Sequence, residues 1–148
     1  MVLAQSDVVE SVREHLQRKG YSVSSSVGKN EVSVEMTAVR DQDHFVIEAM
    51  WESEQPTDKN IIFALGKLVK RMNETGSWYH YALALPKDYF RFLREFELAG
   101  VELLGLHLFL VESFYTLTEL DHKETVELIK ALKAGNLSQL NLWGINYY

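Results

Sequence analysis

Two glutamates, Glu35 and Glu48, are the side chains in this 148-residue sequence best placed to do chemistry together. Each sits in a stretch where apolar and polar residues alternate. Val32, Val34, Met36 and Ala38 alternate with Ser33, Glu35 and Thr37, and Phe45, Ile47, Ala49 and Trp51 alternate with Val46, Glu48 and Met50. Period two is the signature of a β-strand, so Ser33, Glu35 and Thr37 share one face of the first stretch, and Glu48 and Met50 share one face of the second. Asp41-Gln42-Asp43 lies between them as a turn signal, and thirteen positions separate the two glutamates. A tight antiparallel connection brings their carboxylates near one another, with the apolar alternates on the core face. Such a pair can hold Mg²⁺ or Mn²⁺, since Mg²⁺ is a hard cation that takes oxygen ligands. A metal held there polarises a phosphoryl oxygen and activates water for phosphodiester hydrolysis.

Other chemistries find less in the sequence. There is no cysteine, which excludes a thiolate metal site, a cysteine nucleophile and a disulfide framework. His15, His44, His80, His107 and His122 show no metal-ligand spacing. Ala64-Leu65-Gly66-Lys67 lies mid-helix and lacks the phosphate-loop pattern. Ser22, Ser24, Ser25 and Ser26 can line a polar groove, but none has the context of a nucleophile elbow.

The elements that must position the two glutamates read clearly. A first helix is expected from about Asp7 to Lys19, with Asp7 as its cap, Glu10 in the capping-box position, and Val8, Val9, Val12 and Leu16 as its stripe. Gly20 stops it. Tyr21, Val23 and Val27 open a three-strand meander, with Gly28-Lys29-Asn30 as the first turn. Pro56 precedes a second helix, about Asp58 to Asn73, whose core face is expected to hold Ile61, Ile62, Leu65, Leu68, Val69 and Met72. The unbroken apolar run Tyr79 to Leu85 predicts a strand covered on both faces. A third helix is expected from Pro86 to Glu97, a second buried strand from Leu106 to Val111, an extension or edge strand over Phe114 to Leu117, and a last helix from His122 to Lys133. The sum is one α/β domain: an αβββαβ core with helices on both sides of a mixed sheet.

This element order, with the stretch from Glu35 through Glu48-Ala49-Met50, resembles the PD-(D/E)XK nuclease-like superfamily, over about residues 7 to 111. The resemblance implies an acidic residue in the second strand of the meander and an acid-x-lysine triplet in the third, which here are Glu35 and Glu48-Ala49-Met50. It further implies a helper carboxylate on the first helix, here Glu10, and a polar residue on the helix that follows. Three features depart from the pattern. Glutamate replaces the usual aspartate at position 35, no proline precedes it, and Met50 replaces the lysine. Methionine carries no charge and donates no hydrogen bond. Lys67 is then the candidate replacement, although on a helical wheel it projects away from Ile61, Leu65 and Met72 and shares a side with Phe63. The alternative is that the fold persists without the chemistry, as an interaction or accessory module.

The chain carries a net charge of −6, which weighs against tight non-specific nucleic-acid binding without excluding a local patch such as Lys67, Lys70 and Arg71. The N-terminus lacks a basic segment followed by an apolar one, and no apolar run reaches a membrane-spanning length, so a cytoplasmic protein without a signal peptide is expected. The segment from Asn136 to Tyr148 carries Leu137, Leu140, Leu142, Trp143, Ile145, Tyr147 and Tyr148. It is too apolar to hang free. A homodimer contact through it is expected, with folding back over its own sheet as the alternative.

Overall fold

In the computed structural model, described here for residues 3–26, 33–52, 58–74, 76–113 and 116–145, six strands form one mixed sheet in sequence order. They are β1 (Ser22–Ser25), β2 (Ser33–Arg40), β3 (Asp43–Met50), β4 (Tyr79–Pro86), β5 (Leu106–Ser113) and β6 (Thr116–Leu120). β1, β2 and β3 run antiparallel, β3, β4 and β5 run parallel, and β6 returns antiparallel on β5. The expected α/β class, a meander leading into buried strands of a mixed sheet, is the architecture found, and the buried strands are parallel to β3.

Helices cover both faces. On one face lies α1 (Gln5–Arg18), whose Val8, Val9, Val12 and Leu16 pack on Val34, Met36, Ala38, Phe45, Ile47, Ala82, Ala84 and Phe109. The other face carries α2 (Asp58–Lys70), a 3₁₀ segment (Lys87–Glu95), α3 (Leu98–Leu104), α4 (His122–Ala134) and a final 3₁₀ segment (Leu137–Trp143). β4 and β5 are sandwiched between these layers, so Ala82 to Leu85 and Leu108 to Val111 lie wholly buried. That double cover is why their sequence shows no alternation.

Several expectations are corrected. α1 starts two residues before Asp7, with Ala4 as N-cap. Asp7 instead stands at the third helical position and accepts the Ala4 amide at 3.0 Å. The expected third helix forms as 3₁₀ turns, and the chain then makes α3, which no apolar stripe in the sequence announced. The core face of α2 is Ile61, Ala64 and Leu68, whereas Ile62 and Val69 are exposed. The polar face of the meander is not open to solvent throughout, because α2 lies over β3. The first meander turn, at 28–30, and Phe114 lie outside the described residues; the edge strand is β6.

The C-terminal segment folds onto its own domain. Leu140, Trp143 and Ile145 are buried against the α4 side of the core, while Leu142 is exposed. Tyr147 and Tyr148 lie outside the described residues. α4 itself is set by a capping box: Asp121 accepts the Glu124 amide at 2.8 Å and Glu124 accepts the Asp121 amide at 3.2 Å. Asp121→Ala is expected to cost about 1 kcal/mol, read as a small downward shift in a thermal unfolding curve.

Candidate functional site

The geometry starts at the β2–β3 turn. Arg40 pairs with Asp43, so only Asp41 and Gln42 form the connection, and Asp41 takes φ +54°, a conformation that short polar residues tolerate. This tight turn fixes the register, and the register sets Glu35 directly opposite Glu48. Cross-strand partners of this kind stand roughly 5 Å apart at Cβ. The two sequence candidates are therefore on one face and adjacent, and Ser33 and Met50 form the next pair but one along it.

Their surroundings differ sharply. Glu35 is exposed at the edge of a groove of about 270 Å³ that Ser24, Ser26, Thr37 and Arg71 also line. Glu48 has no exposed surface at all. Its Oε1 accepts the Ser33 hydroxyl at 2.7 Å and lies 3.3 Å from Lys67 Nζ, and its Oε2 accepts from Arg71 Nη1 at 2.5 Å. Lys67 also donates to the Ser33 carbonyl at 2.9 Å. Arg71 donates to the carbonyls of Ile47 at 2.7 Å and Met36 at 2.9 Å. Both cations thus strap the C-terminal end of α2 across β2 and β3. A buried carboxylate is tolerable only when its lone pairs and charge are answered in this way.

Lys67 stands beside Glu48, as the residue proposed to replace the missing lysine would. Its long stem carries the ammonium inward from a flank of α2 that a wheel of the helix assigns to neither face. Met50 is 1% exposed and lies in the core with Ile61, Leu68 and Leu83, so the position where the resemblance would put a lysine is an apolar packing position. Glu10 is not brought to the others. It lies on α1, across the sheet, where Arg13 bonds it at 3.3 Å and also reaches the Val23 carbonyl and Ser25 Oγ. Arg71 is the participant that the sequence pattern does not place beside Glu48. The signal for it was its position one helical turn after Lys67, on a helix following an acid-bearing strand.

No family model, curated protein or solved structure matches this chain.

A divalent ion fits poorly among these groups. It needs several oxygen ligands at about 2.1 Å for Mg²⁺. Glu48 offers oxygens already engaged by a hydroxyl and two cations, and those cations repel a third. Among the described residues no three His, Asp or Glu side chains are placed to hold a metal. No helix among the described residues is long and apolar enough to cross a membrane.

Proposed function

We propose that this chain is a nuclease-like domain acting as a non-catalytic interaction or accessory module, in which the second acid of the PD-(D/E)XK pattern, Glu48, has become a structural clamp. The observation that carries this reading is the complete burial of Glu48 between Ser33, Lys67 and Arg71. The guanidinium and ammonium supply the positive charge that Mg²⁺ or Mn²⁺ would otherwise bring. Met50 in the core leaves no lysine at the motif position.

A second reading, metal-dependent hydrolysis of nucleic-acid phosphodiesters, draws on one specific observation: Glu35 faces Glu48 with Lys67 alongside. One assay separates the two. Single-stranded, duplex and branched DNA are offered with Mg²⁺ and with Mn²⁺, beside a Glu35→Ala control. Glu35 suits the control because it is exposed, so its loss leaves the fold intact. The module reading expects no metal-dependent cleavage. Cleavage that the Glu35→Ala control abolishes would establish the hydrolase instead.

We read the protein as cytoplasmic; a sequence without cysteine is compatible with a reducing compartment. A homodimer through the C-terminal segment would have Leu142 as its large exposed apolar side chain among the described residues of that segment. The burial of Leu140, Trp143 and Ile145 supports reading the segment as part of its own core.

A further inference from the structure

The helix that the Glu48 clamp holds in place has two apolar faces, and among the described residues only one is buried. Ile61, Ala64 and Leu68 of α2 are fully buried on the sheet. On the opposite side Lys59, Ile62, Phe63, Gly66, Val69 and Lys70 are all exposed, with Ile62 at 59%, Phe63 at 65% and Val69 at 45%. Their spacing places them on a single stripe about 120° wide running the length of the helix. A helix apolar on both sides normally has both sides covered.

Gly66 sits in the middle of this outer stripe. Glycine is among the least favourable residues for a helix interior. Nothing inside the protein requires it, because a Cβ at Gly66 would meet no atom within 4 Å. Its effect is to leave a notch among Ile62, Phe63 and Val69, where a large side chain from outside can seat against the backbone. Exposed lysines stand at both ends of the stripe, Lys59 and Lys70, while the other two cations of this helix region, Lys67 and Arg71, are turned inward to Glu48.

We infer that the outer face of α2 is a docking surface for an acidic amphipathic helix of a partner protein. Its apolar side chains cover Ile62, Phe63 and Val69, one of them enters the Gly66 notch, and its carboxylates pair with Lys59 and Lys70. The 13 residues of α2 give a track about 20 Å long, enough for three to four turns of a partner helix. Charge selects this occupant over the others. A second copy of the chain, packed parallel or antiparallel, sets lysine against lysine at both ends. An anionic membrane is held by clusters of roughly four to eight Lys or Arg side chains, whereas this stripe offers Lys59 and Lys70 at opposite ends. Nucleic acid has no use for the apolar centre. The inference rests on the interaction-module reading, and it names the surface and the chemistry of the partner.

The test is a selection from a displayed library of 16-residue amphipathic helices whose flanking positions vary freely in charge, with the intact protein as target. Enriched helices are expected to carry acidic flanks. Their binding, measured by fluorescence anisotropy on synthetic peptides, is expected to weaken about tenfold or more with Phe63→Ser and with Lys59→Glu/Lys70→Glu. Gly66→Ala supplies the control against mere misfolding: it is expected to raise the melting temperature while weakening the peptide. No enrichment, neutral or basic flanks, or binding that ignores all three variants would overturn the inference. So would sedimentation showing self-association lost with Phe63→Ser, or binding to phosphatidylserine vesicles lost with the same change. The DNA-cleavage assay fails independently of these outcomes, so the two readings can fall separately.

Discussion

Glu48→Ala is expected to destabilise the protein by about 3–5 kcal/mol, the range seen when one partner of a buried ion pair is removed. For a chain of this size that is a fall of roughly 10 °C in melting temperature. The cost comes from what remains behind. Without the carboxylate, Lys67 and Arg71 keep their bonds to the Ser33, Ile47 and Met36 carbonyls but lose the charge that balanced them, and Ser33 loses its acceptor. The cations must then stay under-compensated or swing out, loosening α2 from β2 and β3. Arg71→Ala should reproduce part of the loss, and in the double variant the two costs should fail to add by more than about 1 kcal/mol, because each change removes the same contact. Thermal and urea unfolding of the three variants measure this. A carboxylate kept for chemistry behaves in the opposite sense, since strained or repelling catalytic groups often gain stability when removed. A Glu48→Ala protein as stable as the parent would therefore sink the clamp and revive the hydrolase.

How much of this was readable beforehand depended on whether local chemistry or tertiary cover decided the outcome. The pairing of Glu35 with Glu48 was legible because strand period and a short turn are local properties, and the Asp41-Gln42 connection left one register. The double-sided burial of β4 was legible because a short apolar run without alternation needs apolar neighbours on both of its faces. The fate of Glu48 was not. Alternation marks the faces of a strand but not which face a later helix will cover, and α2 covers the one that reads as polar. The same limit misplaced Ile62 and Val69: a helix with apolar residues all round gives no hint of which stripe faces the sheet. α3 escaped because seven residues are too few for a period to establish itself. The C-terminal segment was correctly read as too apolar for water, but composition cannot distinguish a monomer's own core from a subunit contact, and Leu140, Trp143 and Ile145 found the former.

Acid is expected to unfold this protein early, with stability already falling between pH 6.5 and 4. The group responsible is His107 on β5, on the α1 face. Burial holds its imidazole down to about 4 from the ordinary 6.5, and the neighbouring His80, whose ring centre lies 5.1 Å away, pushes in the same direction. Asp121 and Glu119 oppose the shift without reversing it, and His122 adds to it. Phe45 packs edge-on against the His107 ring, and His107 Nδ1 is buried without a hydrogen-bond partner. The sign follows from proton counting. Below pH 6.5 the unfolded chain takes a proton on this residue, whereas the folded chain does not until about pH 4, so stability drops as pH falls through that window and levels off beneath it. The full effect is about 2–3 kcal/mol after allowance for partial solvation, at 1.36 kcal/mol for each pH unit. Glu119 extends the decline to lower pH. Although burial raises its carboxyl, its bonds to His15 at 2.6 Å and Lys19 at 2.9 Å prevail and hold it at about 2, so the stability it lends is present above about 4.5 and lost below. His107→Leu separates the two contributions: it should flatten the stability curve between pH 6.5 and 4 while leaving the steeper loss below pH 4 in place. Chemical denaturation at half-unit pH intervals reads both segments, and a parent protein with constant stability from pH 7 to 4 would show that His107 titrates freely in the fold.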